Sequence, residues 1–79
     1  MILGSQIKAA RILLKMTQAE LAKLTKTSID TLKRIEKSEA DYKGSAELFF
    51  KIQATLEKKG IKFENDKTGF GVSLLKSKK

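Results

Sequence analysis

The sequence predicts a mainly α fold, four helices followed by a C-terminal β-hairpin. Three observations predict it. Apolar residues recur at helical spacing over most of residues 1–60, hydroxyl residues stand where helix starts need caps, and the hydrophobic period shortens to two after Gly60. At 79 residues the chain is sized for one small domain, because a chain this short has little core to share.

The first helix is read over residues 3–16, where Ile7, Ala10 and Leu14 share a face and Lys8, Arg11 and Lys15 lie between them. Leu3 is not a capping residue, so Ser5 is the expected cap of a slightly later start. Thr17-Gln18-Ala19-Glu20 has the form of a capping box, in which the hydroxyl and the glutamate each satisfy an orphan amide, and it starts the second helix. That helix carries Ala19, Leu21, Ala22 and Leu24 and fades at residues 25–27; Ser28 then caps a third helix running to about Lys37. Residues 37–45 are polar, contain Gly44 and read as a loop. Leu48, Phe49, Ile52, Thr55 and Leu56 mark the fourth helix, with Gly60 as its left-handed stop. Ile61 and Phe63 alternate with Lys62 and Glu64, and Phe70, Val72 and Leu74 with Gly71 and Ser73, so residues 61–75 form a hairpin around a turn at residues 65–69. Residues 76–79 make a basic tail.

Composition narrows the function. There is no cysteine and no histidine, which removes disulfides, thiolate metal sites and the usual acid-base side chains, so neither metal nor cofactor is expected. An enzyme is not expected either, since no pair of carboxylates, lysines or the one tyrosine sits at an interpretable catalytic spacing. Apolar runs are too short for a membrane span or a signal-peptide core, so a cytoplasmic protein is expected. Seventeen Lys+Arg against nine Asp+Glu give a formal charge of +8, which attracts a polyanion at long range, with nucleic acid the leading partner.

Two short helices joined by a few residues and preceded by a supporting helix are the parts of a helix-turn-helix. On the third helix, Leu32 and Ile35 fall on one side, while Asp30, Lys33, Arg34 and Lys37 fall on the other. A polar, net basic face of this kind suits a major groove.

Residues 6–36, above all MTQAELAKLTKTSIDTLKRIE, resemble the lambda-repressor-like XRE family of bacterial and phage regulators. The likeness rests on the Gln-x-Glu-Leu-Ala run at residues 18–22 and the apolar-basic-basic-apolar-Glu run ending at Glu36. It implies that the third helix enters the major groove of double-stranded DNA while the start of the second abuts a phosphate. By that resemblance Ser28, Ile29, Asp30 and Arg34 occupy base-facing positions, and Gln18 that of a phosphate-contacting glutamine. Thr17, Lys26, Lys33 and Lys43 are further candidate backbone contacts. Arg34 can fork to guanine O6 and N7, Asp30 can accept from cytosine N4, and Ile29 can touch a thymine methyl. Each has a competing structural role: Arg34 as a solvated surface residue, Asp30 as a complement to the helix dipole, Ile29 as an extension of the core, Ser28 as a cap. The resemblance also implies an Arg11–Glu36 ion pair between the first and third helices. Two departures stand out, Lys15 and Lys26 at turns where the family usually has glycine.

The family binds as two-fold dimers, and an isolated hairpin with open edges is marginal in water, so the hairpin is the candidate dimerisation element, with Phe70, Val72 and Leu74. Phe50 points away from the stripe of its helix, and is expected either to lie under the hairpin or to form part of a subunit interface. The expected function is a sequence-specific transcriptional regulator, a repressor acting as a homodimer. The alternatives are an antitoxin or adaptor whose hairpin and Phe50 surface binds another protein, and a sequence-indifferent basic protein coating DNA or RNA.

Overall fold

The computed structural model describes residues 2–38 and 46–75. Four helices, α1 (Gly4–Leu13), α2 (Gln18–Thr25), α3 (Ile29–Lys37) and α4 (Ala46–Lys58), precede an antiparallel pair, β1 (Ile61–Asp66) and β2 (Gly69–Leu74). The four-helix-plus-hairpin fold expected from the sequence is thus the one observed.

Helix α1 starts before Ser5, which lies within it. Leu3 is the flanking residue, and its amide donates to the Gln6 side-chain oxygen at 2.8 Å, so a glutamine one turn in does what a hydroxyl cap would otherwise do. The helix also ends earlier than its apolar pattern implies. Lys15 adopts φ 59°, and its amide donates to the Ile12 carbonyl while that of Met16 donates to the Arg11 carbonyl. This is a Schellman close built on lysine. The same close ends α2, where Lys26 takes φ 57°, its amide donating to Lys23 O and that of Thr27 to Ala22 O. Lysine therefore keeps the left-handed turn that glycine would adopt freely. An L-residue there costs roughly 1–2 kcal/mol, partly offset by the larger unfolded-state entropy of glycine. Lys26→Gly should accordingly raise stability by about 0.5 kcal/mol, measured as a shift in the urea midpoint without change in slope.

Helix α2 begins with the capping box, Thr17 Oγ1 accepting from Glu20 N at 3.0 Å and Glu20 Oε1 from Thr17 N at 2.8 Å. Of its apolar residues only Leu21 and Ala22 are buried; Ala19 and Leu24 face outward. Thr25 is buried, and its hydroxyl donates back to Leu21 O at 2.8 Å, so the polar atom is satisfied within the helix. Ser28 caps α3, its Oγ accepting from Thr31 N at 3.0 Å.

The hairpin turn is tighter than its composition suggests. Asn65 and Asp66 belong to β1, pairing with Phe70 and Gly69, and only Lys67 and Thr68 lie outside the strands. Asp66 Oδ1 accepts from Thr68 N, Thr68 Oγ1 and Gly69 N, closing the corner with one carboxylate. Those bonds from Thr68 hold the Asp66 carboxyl below its ordinary value.

Ile7 and Ala10 of α1, Leu21 and Ala22 of α2, Leu32 and Ile35 of α3, Phe49, Ile52 and Leu56 of α4, Ile2 and Ile61 make one buried cluster. β2 packs on α1 and β1 on α4, which places Phe63 and Val72 against the edge of that core. Gln6 is buried with them: its Nε2 donates to Asn65 Oδ1 at 2.9 Å and Gly71 O at 2.8 Å, fastening the hairpin to α1. The hairpin does not cover Phe50, which is 56% exposed, so the expectation of an intramolecular lid over that ring is corrected. The ring lies away from the buried Phe49, Ile52 and Leu56 stripe, the face of α4 toward which the hairpin packs.

Candidate nucleic-acid interface

The position of α3 is set from three sides. Leu32 and Ile35 enter the core, the Lys26 turn ties its start to α2, and its end is drawn against the start of α1, where Gly4 N donates to Ser38 O at 3.1 Å. At its inner edge Glu36 is buried and receives a fork from Arg11, Nε to Oε2 at 2.7 Å and Nη2 to Oε1 at 3.1 Å. The third nitrogen of Arg11 donates to Met16 O at 3.0 Å, so one guanidinium links the end of α1, the turn before α2 and the last turn of α3. Gln18 Nε2 adds a bond to Glu36 Oε1 at 3.1 Å. Such a network fixes relative helix geometry more than it adds net stability.

Held this way, α3 presents Asp30, Lys33, Arg34 and Lys37 to solvent. Ile29 is 41% exposed, so it is not an extension of the core and its side chain is free to meet a ligand. Asp30 lies in the first turn, where its charge complements the helix dipole. The Ser28 hydroxyl accepts from Thr31 N and donates to Thr31 Oγ1 at 2.9 Å, so its hydrogen is already committed within α3. Thr17 is different: its Oγ1 accepts the capping bond, leaving the hydroxyl proton available to an outside acceptor.

Beside the exposed face of α3 lies a recess of about 330 Å³ lined by Lys8, Gln18, Lys33, Glu36 and Lys37. With Glu36 engaged by Arg11, the three lysines and the Gln18 amide give this recess the chemistry of an anion site next to the N-terminus of α2. Gln18 thus stands at the recess with one amide hydrogen bound to Glu36 and the other directed by that bond. Lys8 was not among the sequence-derived candidates, and Lys37 was placed only on the polar face of the third helix. The signal for Lys8 was its place three residues before Arg11 on one helix face, since Arg11 itself turns toward α3. Lys26 is exposed at the far end of α2, and Lys43 lies outside the described residues.

Among the described residues there is no cluster of acidic side chains able to hold a metal ion, and no helix is long and apolar enough to cross a membrane. No curated protein and no solved structure matches the chain. A family model described as helix-turn-helix matches residues 7–60, from the middle of α1 to the glycine after α4, and so takes in the whole of the α2–turn–α3 unit, the lysine recess and the Arg11–Glu36 pair. With that match covering more than half of the sequence, the chain belongs to the helix-turn-helix family and is a small DNA-binding regulator of the XRE type.

Proposed function

We propose that this chain is a sequence-specific regulator that represses by occupying an operator as a homodimer. The observation that carries the reading is the exposed, net basic face of α3, held rigidly beside a lysine-lined recess at the start of α2. In a major groove, Arg34 forks to a guanine, Asp30 accepts from a cytosine and Ile29 meets a thymine methyl, while Ser28 reads at the edge through its remaining lone pair. Thr17, Gln18, Lys26, Lys33 and Lys43, with Lys8 and Lys37 added, engage phosphates, which position without specifying.

The second copy is assigned to the hairpin. Among the described residues each of its two strands has one unpaired edge, and Phe70 at 56% exposed and Leu74 at 41% exposed stand near its two ends. Val72 sits between them but packs against the chain's own core, so its side chain supports the hairpin from within and Phe70 and Leu74 meet the partner. Phe50, exposed on α4, favours a second reading in which the same molecule also serves as an antitoxin or adaptor for another protein.

Selection from a random duplex pool in the presence of competitor DNA tests the proposal. An inverted repeat with half-sites about 10 base pairs apart, or a multiple of that spacing, is the expected consensus, and placed over a reporter promoter it should lower expression. A pool that returns no consensus contradicts it. The Phe70→Ser/Leu74→Ser variant should sediment as a monomer and bind the repeat at least about tenfold more weakly, since two half-sites no longer share one ligand. A wild-type protein that is monomeric at high micromolar concentration removes the dimer.

A further inference from the structure

A second concave surface lies on the other side of α2. The turn between α1 and α2, the outer side of α2 and the end of α4 enclose an open groove of about 1100 Å³. It shares no lining residue with the recess beside α3. At 3.6 residues per turn, Glu20 and Leu24 leave α2 roughly 160° and 120° around its axis from Gln18, so the groove and the recess face different directions.

The groove has an apolar floor and a cationic rim. Leu14 and Met16 are half-buried, and Leu24, in the last turn of α2, is 49% exposed. Around them stand four lysines against a single glutamate, and that glutamate is turned back onto the Thr17 amide by the capping box. Phosphodiester backbone would meet the lysines but leave the floor wet. A ligand that is acidic and also carries apolar side chains satisfies both parts.

We propose that this groove docks an acidic amphipathic helix of a partner protein, its apolar side chains on Leu14, Met16 and Leu24 and its carboxylates on Lys15, Lys23, Lys58 and Lys59. Helices that dock in grooves present anchors at i, i+3 or i+4, and i+7, and short like-signed rims set their partner choice. Because the groove turns away from α3, the docked helix and DNA are held at the same time. The protein thereby joins an acidic partner to its DNA site.

The test uses the full chain and a fluorescein-labelled peptide of about 18 residues, long enough to form a helix, with Leu and Phe on one helical face and Glu and Asp elsewhere. A peptide of the same composition in shuffled order is the control. The ordered peptide should bind at least about tenfold more tightly than the shuffled one, and Leu24→Ser and the Lys58→Glu/Lys59→Glu pair should each weaken it by about tenfold. Leu24→Ser, which changes no charge, should bind duplex DNA within about twofold of wild type, and saturating DNA should leave the peptide bound to the wild-type protein. Amide shifts of the wild-type protein on peptide addition should map to the turn between α1 and α2, to α2 around Leu24 and to the end of α4. Equal binding of ordered and shuffled peptides overturns the proposal, because the lysines then act as diffuse charge. Displacement of the peptide by DNA, with matching loss of DNA affinity in the lysine variant, overturns it in favour of a DNA contact.

Discussion

Glu36→Ala should destabilise the domain by about 3–5 kcal/mol, the usual penalty for stranding the partner of a buried ion pair. Arg11 and Glu36 are only 11% and 3% exposed at their side chains, so the guanidinium left behind has little access to water. Its Nη1 bond to Met16 O would survive, but the bond from Gln18 would be lost as well. For a domain of this size, 3 kcal/mol corresponds to a fall of at least about 12 °C in Tm, readable from helical circular dichroism. The expected loss reflects an unpaired charge and not a large net gain from the pair. Replacing both partners by apolar residues, Arg11→Met with Glu36→Leu, should therefore recover most of the stability. DNA affinity should not recover with it, because Gln18 has no anchor and α3 loses one of its ties to α1. A single Glu36→Ala variant within about 1 kcal/mol of wild type would mean that the pair behaves as a solvent-exposed one.

Gly4→Ala should also cost about 3 kcal/mol, toward the upper end of overpacking effects, although alanine is the better helix former by up to about 1 kcal/mol. The two effects have opposite signs, so the sign of the result decides between them. A Cβ at position 4 would lie 2.5 Å from Ser38 O and closer still to Ile35 O, both of them backbone atoms at the end of α3. Backbone cannot swing aside as a flexible side chain does. To admit the methyl, α1 must move off α3, which also stretches the Gly4 N to Ser38 O bond and disturbs the Arg11 fork. The loss should appear as a lower urea midpoint and as weaker binding to the selected DNA. Stabilisation by alanine would show that α1 is not seated this closely on α3.

Local signals and periodicity made most of the architecture legible. Thr17 with Glu20, and Ser28 with the Leu32 and Ile35 stripe, announce α2 and α3 because capping and amphipathicity are encoded within a few residues. What escaped depends on distant partners. Gln6 looks like a surface residue of α1, and only its bonds to Asn65 and Gly71, some sixty residues on, explain why it is buried. Lys15 by itself carries no left-handed signal, since the usual one is glycine, and only its place where the resembling family has glycine pointed to a turn there. Asn65 and Asp66 have turn composition but are absorbed into β1 because the Asp66 carboxylate closes a shorter corner. At the interface, spacing alone separated the exposed Asp30, Lys33 and Arg34 from the core, whereas Lys8 joined them only once α1 was packed against α3.

Whether α3 reads sequence through Arg34 is decided by one competition experiment. Wild type and Arg34→Ala are titrated against the selected duplex and against random duplex at the same near-physiological salt, because affinity without a stated salt concentration has no meaning here. Wild type should prefer the selected duplex by at least about a thousandfold. Arg34→Ala should lose about 1–3 kcal/mol on the selected duplex and relax the preference at one base position, with a far smaller loss on random DNA. Equal losses on both duplexes would make Arg34 a backbone contact and remove base reading at that residue.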